Sequence, residues 1–150
     1  MTWKKLIKNG SLQKKKVSSI EVDRILIKSQ EAIKAAEILI EQDLKEPSFE
    51  QAYKSMLLTG RALIFSVGLR PRSVGSHIIT VNFCKLFLGK NNILLMNKFE
   101  KARRKRNHLI YGASITISRT EVGNLIKAAK DFVKKVEKLI EKRNSQDKLL

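Results

Sequence analysis

Apolar positions recur at helical spacing along most of this chain. Val22, Ile25/Leu26, Ala32/Ile33, Ala36 and Leu39/Ile40 fall three and four apart, the pattern of a helix that buries one face. The pattern predicts a helix from Ser18 to about Asp43, opened by a capping box in which Ser18 satisfies a free amide and Glu21 reaches back. Glu46-Pro47-Ser48 reads as a break, and Ser48 with Gln51 as a second capping box. Ala52, Met56, Thr59, Leu63 and Val67 mark the next helix, ending near Gly68, and Leu69-Arg70-Pro71-Arg72-Ser73 reads as a loop.

The segment from about Ser73 to Leu88 is the most apolar, with Ile78, Ile79, Val81, Phe83, Cys84, Leu86, Phe87 and Leu88. A helix is expected, although its β-branched content would also suit a strand. After the turn Gly89-Lys90-Asn91-Asn92, a further helix carries Leu95, Phe99, Ala102 and Leu109 and stops by Gly112. Ala113 to Ile117 is a short extended connector. Ser118 with Glu121 makes a third capping box before the last helix, whose buried positions are Val122, Leu125/Ile126, Ala129, Phe132/Val133, Val136 and Leu139/Ile140. The expected fold is all-α: an up-and-down bundle of four to five long helices, since short loops make antiparallel neighbours. The expected organisation is a basic arm over residues 1–17 with room for one short helix before Asn9-Gly10, a bundle over 18–143, and a frayed tail over 144–150.

Composition adds bounds. The 150 residues suit one domain with a real core, and the 43% of hydrophobic residues suits a globular chain. The single cysteine, Cys84, sits in an apolar run and reads as a small buried hydrophobe. The start, Met1-Thr2-Trp3-Lys4-Lys5-Leu6, shows no apolar core of a signal peptide, and the longest apolar run, Ile78 to Leu88, is interrupted by Thr80, Asn82 and Lys85. A cytoplasmic setting with no membrane span is expected. Two histidines, one cysteine and no clustered carboxylates point to no metal and no cofactor.

Charge changes the picture most. Thirty-one basic residues against 14 acidic give +17, which implies polyanionic partners: RNA, DNA, nucleotides or an anionic membrane surface. The distribution is uneven: no acid occurs between Glu50 and Glu100, where Lys54, Arg61, Arg70, Arg72, Lys85, Lys90 and Lys98 do.

The candidate chemistry lies in Arg103-Arg104-Lys105-Arg106-Asn107-His108. At about 100° per residue, the apolar stripe Leu95, Phe99, Ala102, Leu109 lacks one member, and Arg106 occupies its slot. An arginine there is either a snorkelling side chain with its stem packed and its head in water, or a guanidinium set in a cleft to grip phosphate. Arg103 and Asn107 flank the same side, and Arg104 and His108 point away. Arg103, Arg104 and Lys105 are candidate nucleic-acid contacts. His77 beside its apolar run reads as a core-edge or helix-start histidine.

Arg106-Asn107-His108-Leu109-Ile110-Tyr111-Gly112 resembles the signature of the HEPN superfamily. Similar in kind and order are the helix with Ala32 and Ala36, the Ala52-Tyr53 to Gly68 helix, the Ser76-His77 helix start and the final amphipathic helix. The resemblance covers roughly residues 18–143. It implies a helical bundle, usually a homodimer, whose members include metal-independent ribonucleases with an arginine, a polar residue and then a histidine. Here the motif reads in two registers. Arg106 with Asn107 places Tyr111 where the histidine is expected; Arg103 with His108 keeps the histidine but faces it away from the apolar stripe. The resemblance therefore marks Arg106, Asn107, Tyr111 and His108 as catalytic candidates. It implies either RNA cleavage or RNA binding, possible in a toxin–antitoxin setting, or a non-catalytic module that pairs with a small nucleotidyltransferase.

Overall fold

The computed structural model describes residues 2–112 and 116–149, with side chains through 145. Six helices and two short strands follow one another: α1 (Lys5–Lys8), β1 (Leu12–Lys14), α2 (Ser19–Glu41), α3 (Lys45–Ser66), β2 (Leu69–Pro71), α4 (Ser76–Leu88), α5 (Ile93–Tyr111) and α6 (Arg119–Leu149). The fold is the expected all-helical bundle, with α2 to α6 as its long elements. A 3₁₀ turn over Lys90–Asn92 reverses the chain, so that α5 departs from α4 at 120°.

Serine caps account for two helix starts. Ser18 Oγ accepts from the Glu21 amide at 3.2 Å. At α6 the exchange is reciprocal: Ser18's counterpart Ser118 accepts from the Glu121 amide at 3.1 Å, and Glu121 Oε1 accepts from the Ser118 amide at 3.3 Å.

The start of α3 differs from expectation. Pro47 does not break the chain; it lies in the first turn of α3, where a helix has no intrahelical use for an amide hydrogen. The reversal is made earlier, at Asp43, whose φ is +59°. Ser48 is not a cap. Its buried hydroxyl donates to the Ala36 carbonyl at 2.6 Å, tying α3 to α2. Small residues let these two helices approach closely. Ser29 Oγ lies 2.9 Å from the Ser55 carbonyl, 2.8 Å from Ser55 Oγ and 2.7 Å from Thr59 Oγ1. All three residues are buried, and their hydroxyls satisfy one another.

The N-terminal segment carries more structure than the one short helix expected before Asn9-Gly10. Besides the short helix α1, β1 pairs antiparallel with β2, Leu12 opposite Pro71 and Lys14 opposite Leu69, so the expected loop at Leu69–Ser73 contains a strand. Leu12 and Leu69 are buried. Trp3 meets Phe83 edge-on at 5.6 Å and Phe87 at 5.7 Å. At the other end, α6 runs on to Leu149. Of the expected connector Ala113 to Ile117, residues 113–115 lie outside the described residues, and Ile117 is buried.

Gly60 sets the crossing of α3 and α4. A Cβ there would stand 2.7 Å from Thr80 Cγ2 and 3.1 Å from Cys84 Sγ, so a hydrogen in that place is what lets the apolar helix seat. Phe99 of α5 packs on Tyr53 of α3 at 6.1 Å and on Phe132 of α6 at 5.6 Å. The core thus brings α3, α4 and α5 together around Tyr53. Among the described residues, no single helix is long and apolar enough to cross a membrane.

Candidate nucleic-acid interface

α5 carries its apolar stripe inward as its spacing requires: Leu95, Phe99 and Ala102 are buried and Leu109 packs at the core's edge. Arg106 continues the stripe, half-buried. Its guanidinium carbon sits 5.6 Å from the centroid of the Tyr53 ring, a cation–π arrangement worth about 0.5–2 kcal/mol depending on desolvation.

The neighbouring basic residues are differently employed. Arg103 makes a two-pronged contact with Glu100, Nε to Oε2 at 3.1 Å and Nη2 to Oε1 at 2.7 Å. The largely exposed Arg104 shares the same carboxylate at 2.9 Å. Lys105 reaches across to Glu121 of α6 at 2.9 Å. Hydrogen bonds from the two arginines, Arg103 first, hold the Glu100 carboxyl below its usual range, and Lys105 does the same to Glu121. Of the four cations in the run, Arg106 alone has no carboxylate partner among the described residues.

Asn107, His108 and Tyr111 are exposed. Tyr111 is 87% exposed and Ile110 beside it 44%, so the last turn of α5 presents ring and aliphatic surface to solvent. The structure does not bring His108 to Arg106. It brings His77 instead.

His77 stands in the first turn of α4. Its Nδ1 lies 2.9 Å from the Tyr53 hydroxyl, and the two rings are 5.8 Å apart. Arg61, two turns along α3 from Tyr53, places Nη2 3.4 Å from the Ser76 hydroxyl, next to His77. Burial depresses the His77 imidazole below its ordinary 6.5, and the positive fields of Arg106, Arg61 and Arg103 push the same way. Burial raises the Tyr53 phenol to about 12 despite the same arginines, which act in the opposite sense. The site therefore holds a protonated phenol and a neutral imidazole at neutral pH, facing three guanidinium groups with one carboxylate among them.

Sequence reasoning missed Tyr53, Arg61 and His77 as members of this cluster. His77 reads as a core-edge or helix-start histidine, and Tyr53 falls outside the apolar pattern that marks its helix. The available signal was the acid-free stretch between Glu50 and Glu100, which contains all three. The other flank of α5 bears Lys98, Lys101 and Lys105, which with Glu121 edge a groove floored by Phe49 and Leu125. Among the described residues, no group of three or more His, Cys, Asp or Glu side chains could hold a metal ion, and Cys84 is fully buried with its thiol pushed up by desolvation.

Fold and site together define an all-helical bundle with a cationic cluster where its third, fourth and fifth helices meet. A family model, the HEPN domain, matches residues 22–139, and the chain belongs to that family. Membership makes it a module of the nucleotide-binding or ribonuclease-like kind. No curated protein matches the chain.

Proposed function

We propose that this chain is an RNA-handling HEPN domain that grips the phosphate backbone with Arg106. The observation that carries the reading is the environment of Arg106: a half-buried guanidinium over the Tyr53 ring, with no carboxylate to neutralise it among the described residues. Bringing a cation out of bulk water without a counter-charge is costly, and a phosphate oxygen pair fits the planar fork of an arginine. Asn107 and Tyr111 lie on the accessible side of the same helix end, suited to a ribose hydroxyl and to stacking on a base. Arg103, Arg104 and Lys105 supply the surrounding positive field. A homodimer that joins two such helix ends is in keeping with the family.

If the domain cleaves RNA, the chemistry needs no metal: the 2′-hydroxyl loses its proton to solvent and its oxygen bonds to phosphorus, the bond from phosphorus to the 5′-oxygen breaks, that oxygen takes a proton from solvent and leaves as a 5′-hydroxyl, a 2′,3′-cyclic phosphate remains, and the arginine stabilises the charge on the phosphate throughout. A second reading is favoured by the exposed Ile110 and Tyr111. It is a non-catalytic module that presents this apolar helix end to a protein such as a small nucleotidyltransferase, with toxin–antitoxin pairing as one setting.

The test is incubation of the protein with labelled single-stranded RNA in chelator, with binding and cleavage read separately for wild type, Arg106→Ala and His108→Ala. RNA binding that Arg106→Ala weakens at least about tenfold supports the reading. Cleavage abolished by His108→Ala would assign that histidine a catalytic role. An absence of RNA binding by the wild type, together with stable association with a nucleotidyltransferase, would replace the first reading with the second.

A further inference from the structure

The reading above places the RNA phosphate at Arg106 but leaves the rest of its seat unassigned. Three observations define that seat. First, Arg61 and Arg106 approach Tyr53 and His77 from two different helices, and neither has a carboxylate partner among the described residues. Second, the only carboxylate in the cluster among the described residues, Glu100, is already shared between Arg103 and Arg104. Half-buried positive charge thus exceeds negative charge at one place, which an anionic ligand would correct. Third, the Tyr53 hydroxyl holds His77 through Nδ1, which leaves the Nε2 edge of a half-exposed imidazole for a ligand.

We propose that one RNA phosphate group sits between Arg61 of α3 and Arg106 of α5, and that His77 of α4, held by Tyr53, donates a hydrogen bond to it and takes up a proton from solvent as it binds. The inference rests on the RNA-handling reading for its ligand, and it assigns residues outside the α5 motif. Tyr53 suits either protonation state of its partner. Its hydroxyl donates to Nδ1 of the neutral ring, which places the remaining ring proton on Nε2; when the ring is protonated, the same hydroxyl accepts from Nδ1. The charged groups facing His77 are Arg61 from α3 and Arg103 and Arg106 from α5, while Glu100 acts on Tyr53 beside it. Without a ligand, burial first and the arginines second favour the neutral imidazole. A bound phosphate cancels their field and favours the charged one.

The experiment follows the His77 ring protons by NMR across pH, assigned with His77→Gln. The probes are a non-cleavable 2′-O-methyl RNA hexamer with hydroxyl ends and the same hexamer carrying a 3′-phosphate. The expected result is an upward movement of the His77 titration on adding RNA. A shift with both hexamers identifies an internal diester in the seat; a shift with the phosphorylated one alone identifies a terminal monoester. Arg61→Gln and His77→Gln are expected to weaken binding about tenfold or more, and proton uptake should make wild-type binding tighten as pH falls toward 6. If the hexamers leave the His77 titration unmoved while Arg106→Gln still weakens binding, the seat is wrong and the RNA reading stands. If Arg106→Gln also has no effect, both fall.

Discussion

The hydroxyl of Tyr53 meets Nδ1 of His77 at 2.9 Å, joining α3 to α4 beside the Arg106 guanidinium. This contact and the Arg106 guanidinium over the Tyr53 ring link the core to the basic cluster. The Tyr53 ring packs on Phe99 inside the bundle, while its oxygen and one ring face belong to the polar site.

Ionisation of Tyr53 should therefore be late. Its pKa stands at about 12 because of burial, against an unfolded value near 10, so the folded chain keeps a proton that the unfolded chain releases. Stability contributed by the neutral phenol is present below pH 10 and is lost as pH rises from there toward 12. In a Tyr111→Phe variant, where Tyr53 is the remaining tyrosine, the ultraviolet tyrosinate band should emerge only near pH 12 or together with unfolding. A band that develops around pH 10 in protein that is still folded would show the phenol to be open to water.

The sign for His77 is opposite on the acid side. Its imidazole is depressed below 6.5 in the fold, so the unfolded chain binds the proton more readily. The stability contribution is complete above pH 6.5 and is lost as pH falls through the folded-state value. The melting temperature of the ligand-free protein should drop across that window, and His77→Gln should remove this part of the drop while leaving the later loss from Glu100 and Glu121 in place. Thermal melts of the two proteins in matched buffers check this. A parallel pair of curves between pH 7 and 5 would show that neither burial nor the arginine field holds the imidazole down.

Much of the bundle was legible because helix periodicity and capping are local signals. The Ser118–Glu121 box works in both directions, as its spacing implies. What escaped the sequence depends on partners distant in the chain. Pro47 read as a break because proline is a breaker in a helix interior, yet the first turn tolerates it. Ser48 read as a cap because its buried acceptor, the Ala36 carbonyl, belongs to another helix. The pairing of β1 with β2 joins residues more than fifty positions apart. For the site, the oddity of Arg106 was visible as a charge in an apolar stripe. Its neighbours Tyr53 and His77 were not, since each is individually ordinary for a core edge.

Gly60 offers a direct test of helix packing. Alanine would gain about 1 kcal/mol in helix propensity over glycine, but its Cβ would press on Thr80 Cγ2 at 2.7 Å. Overpacking of this kind costs about 1–3 kcal/mol, so Gly60→Ala should lower stability to denaturant on balance. Thr80→Ser deletes the clashing methyl and keeps the hydroxyl that donates to the Ser76 carbonyl. In the glycine background this deletion should destabilise; in the alanine background it should cost less or restore stability. Additive effects of the two substitutions would mean that the helices adjust freely at this crossing.

The role of Arg106 can be separated from general positive charge by salt dependence. Each phosphate neutralised on a single strand contributes about 0.7 to the slope of log affinity against log salt. Arg106 is half-buried over Tyr53 with no carboxylate partner among the described residues, whereas Arg104 is 71% exposed and already shares Glu100. Arg106→Gln should lower the slope for single-stranded RNA by about 0.7 and weaken binding at every salt concentration. Arg104→Gln should change binding less, and most of its effect should vanish as salt screens exposed charge. Arg106→Lys keeps the charge but loses the planar fork and its fit over the ring, so it should fall between wild type and glutamine. Fluorescence anisotropy across a salt series distinguishes these outcomes. Equal losses for Arg104→Gln and Arg106→Gln would mean that RNA is drawn to the helix end by its charge alone, with no phosphate seated at Arg106.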